Sequence, residues 1–150
     1  MEINTMAFTV STLKLTHEAA LTMLQAAVAK ALELDWHVDI VIVDAGGNTI
    51  AALRMDDAKL LSMFTATTKA VSAASHRRPS SQIDAQMAPS LAAASGGRLT
   101  NMAGGLPIVI DGVCVGGIGV GSAPDEEDVA IAMAGLTAIG ASASMPAGTR

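Results

Sequence analysis

The sequence predicts an α+β domain in which an antiparallel sheet of about five strands is flanked by helices. Three observations lead there. Apolar residues recur at helical spacing in three long stretches, after Thr16, after Asp57 and after Pro124. Between them lie two pairs of β-branched, apolar runs, each pair joined by a short turn rich in Asp and Gly. No linker or repeat divides the 150 residues, so a single core is expected.

Taken in order, residues 1–12 carry no strong pattern and read as an N-terminal arm or an edge strand. The domain proper is expected over residues 13–140. Thr16 is a suitable cap for the first helix, and Glu18 suits its positive first turn. Leu21, Leu24, Val28, Ala31 and Leu32 mark its expected buried stripe. His37 to Val43 is a strand, Asp44-Ala45-Gly46-Gly47-Asn48 a turn, and Thr49 to Met55 the returning strand. Ile40 to Val43 is continuously apolar, which predicts a strand covered on both faces. The second helix carries the stripe Leu61, Phe64, Thr68 and Val71 and stops at His76-Arg77-Arg78 before Pro79. A shorter helix follows from Ser80 or Ser81, bent or ended at Pro89, and Arg98 to Met102 reads as a short strand. Leu106 to Ile110 and Val113 to Val120 form the second hairpin around Asp111-Gly112. The apolar parity of the returning strand flips at Gly116-Gly117, the mark of a bulge or a close backbone approach. Pro124 opens the last helix, with Val129, Ala132, Met133, Leu136 and Ile139 as its stripe. Residues 141–150 read as a flexible small-residue tail.

Composition narrows the function. The chain has 29 Ala, 14 Gly and 9 Met but only two Phe, one Trp and no Tyr, and its net charge is −5. An acidic chain poor in aromatics lacks the basic surface and stacking rings of a nucleic-acid binder. The single cysteine, Cys114, excludes a disulfide framework and a multi-cysteine metal site. The N-terminus lacks the pattern of a signal peptide, and no window has the roughly 20 apolar residues of a membrane span. A cytoplasmic protein with no membrane and no nucleic-acid partner is expected. The surplus of small residues points to elements in close approach and to a core completed between subunits.

Several short motifs occur in a fixed order: Leu15-Thr16, Val43-Asp44-Ala45-Gly46-Gly47, Arg54-Met55-Asp56, Lys69-Ala70, Arg78-Pro79-Ser80, Gly104-Gly105-Leu106-Pro107-Ile108, Asp111-Gly112 and Gly116-Gly117-Ile118-Gly119-Val120. Together they resemble the GlcG/HbpS family, which includes the C-terminal domain of PduO-type proteins. The resemblance implies a profilin-like sandwich and a homo-oligomer built from dimers, up to an octamer. It also implies either haem binding or degradation, or a place beside catabolic enzymes. After Val120 the chain departs from the family's Gly-Val-Ser-Gly pattern and reads Gly121-Ser122.

Candidate site residues follow from chemistry and from that resemblance. In the first reading the protein handles a compact anionic or carbonyl intermediate by hydrolysis or tautomerisation, with no cofactor required. Arg54 would hold a carboxylate, Asp56 would move a proton, and Lys69 would assist. Backbone N–H groups at Gly104 and Gly105 would serve an oxyanion, and His76 and Asp128 would contact the ligand. The second reading makes haem the ligand, bound through His17 or His76, with Arg77 and Arg78 on its propionates. A third is a non-catalytic accessory oligomer. No His spacing suggests a metal-ion site.

Overall fold

A computed structural model describes residues 7–149. The element order is α1 (His17–Glu33), β1 (Asp39–Asp44), β2 (Thr49–Arg54), α2 (Ser62–His76), a single 3-10 turn (Ser80–Gln82), α3 (Ala88–Ala94), β3 (Gly105–Ile110), β4 (Val113–Gly121) and α4 (Asp125–Ala138). The four strands form one antiparallel sheet in the order β2-β1-β4-β3. The expected fifth strand is absent among the described residues: 98–102 forms no strand, and neither do residues 7–12. Residues 1–6 of the expected arm lie outside the described residues.

β1 is buried on both faces, as its unbroken apolar run requires. Ile40 and Ile42 join Ile118, Val120, Ile108 and Leu106 in a core covered by α1 and α4. Val41 and Val43 point to the other face, where they meet Ala66, Ala70 and Ala74 of α2. The β3–β4 hairpin turns at Asp111 (φ 49°) and Gly112 (φ 76°), both in the positive region that such two-residue turns demand. Ile108 pairs with Gly116 and Val109 with Cys114, leaving Val115 as the extra residue of a bulge. That bulge is the parity flip seen in the sequence.

Two helix stripes are corrected. On α2, Leu61 and Phe64 are 72% and 68% exposed, and the buried face is Ala66, Lys69, Ala70, Ala73 and Ala74. The reason is the glycines of β4. A Cβ on Gly117 would collide with the Ala70 carbonyl oxygen, and one on Gly119 with that of Ala66. The helix lies so close to the sheet that only small residues fit between them, so its large apolar residues face outward. On α1 the buried positions are Ala20, Met23, Ala27 and Ala31, whereas Leu21 and Leu32 are exposed. α4 approaches α1 through another glycine: a Cβ at Gly135 would lie 2.9 Å from Ile118 Cδ1 and 3.3 Å from the Met23 carbonyl oxygen. Pro89 stands in the first turn of α3, so it starts a helix that it was expected to bend or end.

The segment after α4 is joined to the outer edge of β3. Val109 and Ser142 exchange both backbone hydrogen bonds, at 2.8 and 2.9 Å. From there residues 143–149 run alongside a groove.

Candidate functional site

The groove has a volume of about 670 Å³. Its walls are the end of α2 with the loop that follows (His76, Arg77, Arg78), the Gly104-Gly105-Leu106 start of β3, Val129 and Met133 of α4, and the segment carrying Met145. No carboxylate side chain is among the described residues that line it. The helix ends there because Arg77 adopts the left-handed conformation (φ 56°) and its N–H returns to the Ala73 carbonyl. Neither ring nitrogen of His76 has a hydrogen-bond partner among the described residues, and Nδ1 is sealed from solvent. An anionic, partly apolar ligand matches this lining.

The Gly104-Gly105 wall rests on two buried polar anchors. Ser80 is fully buried; its hydroxyl accepts the Gly105 N–H at 3.0 Å and donates to the Met102 carbonyl at 2.5 Å. The Gly105 N–H is therefore engaged, and the expected oxyanion role for it is corrected. The second anchor is the Lys69–Asp128 pair. Lys69 Nζ donates to Asp128 Oδ2 at 3.1 Å and to the Val120 carbonyl at 2.8 Å. Asp128 Oδ1 accepts the Ala123 N–H at 3.1 Å. Both side chains are almost wholly buried. Burial pushes the Asp128 carboxyl up to about 6, although the Lys69 charge and hydrogen bond pull it back down. Gly104, at φ 117°, lies directly on the pair: a Cβ there would stand 2.6 Å from the Val120 carbonyl oxygen and 3.0 Å from Lys69 Nζ.

The remaining candidates lie elsewhere. Arg54 ends β2 and Gly105 begins β3, on opposite edges of the sheet. Three strand spacings put them roughly 14 Å apart. Arg54 Nη1 donates to the Ala58 carbonyl at 3.4 Å. Asp56 is exposed, and its backbone carbonyl contacts His37 Nδ1 at 2.5 Å. His17 is the exposed first residue of α1. The structure thus brings Lys69, Asp128, Gly104 and Gly105 together beside His76, and it leaves Arg54, Asp56 and His17 outside the groove.

Sequence reasoning missed a second buried cluster. Asp39 is fully buried at the start of β1; Oδ2 accepts the Ser122 hydroxyl at 2.6 Å, and Oδ1 has no partner. Burial raises its carboxyl above the ordinary range, with the Ser122 hydroxyl and the Arg54 charge opposing. Ser122 has φ 90° and also accepts the Lys59 N–H at 3.2 Å, tying the β4–α4 junction to the segment before α2. The departure from the family pattern at Ser122 was the available signal, but the strand pairing that sets Asp39 opposite Gly121 was not visible in it.

The chain is similar to known proteins over most of its length. The chain is 37% identical over 128 residues to a 15.0 kDa protein of the Citrobacter freundii dhaT–dhaS intergenic region, covering 81% of this chain and 89% of that one. It superposes on the Klebsiella pneumoniae protein ORFY with a TM-score of 0.87 at 29% identity, over 91% of this chain and 98% of the other. It superposes on the PduOC:heme complex with a TM-score of 0.82 at 28% identity, over 89% and 100%. The sequence profile described as haem degrading protein HbpS-like matches residues 15–137. That match spans most of the chain, and the chain belongs to the HbpS-like family.

Proposed function

We propose that this chain binds haem in the groove at the end of α2. The observation that carries the reading is His76: an imidazole on the groove wall with neither nitrogen partnered among the described residues, followed directly by Arg77 and Arg78. The residues suit the group. His76 offers a nitrogen ligand for iron, and the two guanidiniums offer the planar fork that matches propionate carboxylates. Leu106, Val129, Met133 and Met145 give an apolar lining without aromatics. When bound, haem supplies a redox-active iron. The protein's own part is to hold the ring, fix its acid groups and limit water through the segment 143–149. The family description and the PduOC:heme complex support the reading.

Hemin titration followed in the Soret region tests it. A saturable shift is expected for the wild type. His76→Ala should weaken binding at least tenfold, about 1.4 kcal/mol. Arg78→Ala should weaken it less, with a reduced dependence on salt. His17→Ala should change nothing. A wild-type-like titration of His76→Ala, or loss of binding in His17→Ala, refutes the assignment of the ligand.

A further inference from the structure

We infer that residues 7–14 of one copy of this chain add as a fifth, edge strand to β2 of a second copy, so that two copies exchange their N-terminal arms.

The arm has the composition of a strand but joins no sheet among the described residues. Every residue from 7 to 14 is exposed, and Phe8 and Val10 are 91% and 86% exposed. No backbone group of this segment hydrogen-bonds to another described residue. Its sequence, Phe8-Thr9-Val10-Ser11-Thr12-Leu13, has neither Gly nor Pro and is rich in β-branched residues. Phe8 and Val10 stand two apart, on one face of an extended chain.

β2 is a sheet edge without protection. Among the described residues its outer rim is unpaired, since its strand partner there is β1. It carries no Pro or Lys, and its one bulge faces β1. α2 covers β4, β1 and β3, so the face of β2 on that side is bare. Leu60, Leu61 and Phe64, just before and within the first turn of α2, are 67%, 72% and 68% exposed. An added strand would satisfy the rim, and its alternate apolar residues would fill the step between β2 and α2.

The area is sufficient. A six-residue strand is about 20 Å long, and with a width of roughly 15 Å it buries on the order of 600 Å² counting both partners. Two reciprocal arms reach on the order of 1,200 Å², the lower bound for a specific dimer. The second copy is the committed occupant, because exchange satisfies both exposed arms and both bare rims at once.

The test measures mass by light scattering and amide exchange on the full chain and three variants. The first lacks residues 2–12. The second is Phe8→Asp. The third is Ala52→Pro, which removes an outward N–H of β2: the Met55 N–H bonds inward to Val38, and alternation turns the Ala52 N–H out. The full chain should be dimeric or larger, and each variant should halve the subunit number while α1–α4 keep their protection. The Ala52 and Arg54 amides should exchange at least tenfold faster without the arm. A monomeric full chain overturns the inference. Unchanged mass in the arm variants also overturns it, whatever β2 exchange does, and so does reduced mass with unchanged β2 exchange. Hemin binding is not read, so this outcome is independent of the function proposed above.

Discussion

Replacing Lys69 by Met should destabilise the protein strongly, and by an amount that depends on pH. The substitution keeps the volume and removes the charge. It leaves Asp128 buried with the Ala123 N–H as its remaining donor, and it strips the Val120 carbonyl of its donor. Removing one member of a buried pair costs about 3–5 kcal/mol, or a fall in Tm of roughly 6–20 °C for a domain of this size. Asp128 sets the pH dependence. Burial pushes its carboxyl up to about 6 in the folded chain, from an ordinary value of 3.8. A folded value above the unfolded one contributes stability that is fully present below the unfolded value and is lost as pH rises through the folded value. Without Lys69 the carboxyl moves further up and takes a proton near neutrality. The penalty of Lys69→Met should therefore be largest near pH 8 and shrink by about 2 kcal/mol or more towards pH 5. Urea unfolding of wild type, Lys69→Met, Asp128→Asn and the double variant at pH 5, 6.5 and 8 closes a double-mutant cycle. A coupling energy below about 0.5 kcal/mol, or a Lys69→Met penalty that does not change with pH, would refute the argument.

Other expectations rest on single contacts. Gly119→Ala drives a methyl into the Ala66 carbonyl oxygen and should cost more than about 2 kcal/mol, read as a lowered urea midpoint. Ser80→Ala leaves the buried Gly105 N–H without an acceptor; it should cost about 1–3 kcal/mol and weaken hemin binding, with calorimetry and Soret titration as the two readouts. Thr16→Ala removes the hydroxyl that accepts the Ala19 N–H at 3.1 Å; a loss of about 1 kcal/mol is expected in thermal unfolding. Gly112→Val places a β-branched residue at φ 76° with its Cβ 3.2 Å from Pro146 Cγ. It should lower Tm and speed exchange at Ser142, whose pairing with Val109 lies beside that turn.

Local rules carried the element positions. The Thr16 cap, the Asp111-Gly112 turn and the glycine-marked bulge in β4 each depend on a few neighbouring residues, so each was legible. Helix faces were not, because the reading assumed that large apolar residues turn inward. On α2 the opposite holds, since Gly117 and Gly119 of β4 admit only a face of Ala. That information sits some fifty residues away in the chain. The expected strand over 98–102 failed for the same reason: it has no partner, as the outer edge of β3 is met by Ser142 instead.

The candidate site divided along the same line. Arg78 and the glycine pair were visible in the family pattern, and His76 and Arg77 as the basic stop of the second helix. Which of them share a groove was not. Arg54 and Gly105 both sit near strand ends, but strand order puts them on opposite edges. Lys69, expected to assist at the site, is a buried strut beneath Gly104.

By itself, then, the sequence determined the fold class, the turns and the family, because periodicity and turn chemistry act within a few residues. Only the tertiary structure decided which helix face is buried, which charges pair and which residues meet at the groove. Those depend on how closely backbones approach across the sheet, a distance set by glycines remote in the chain from the residues that they position.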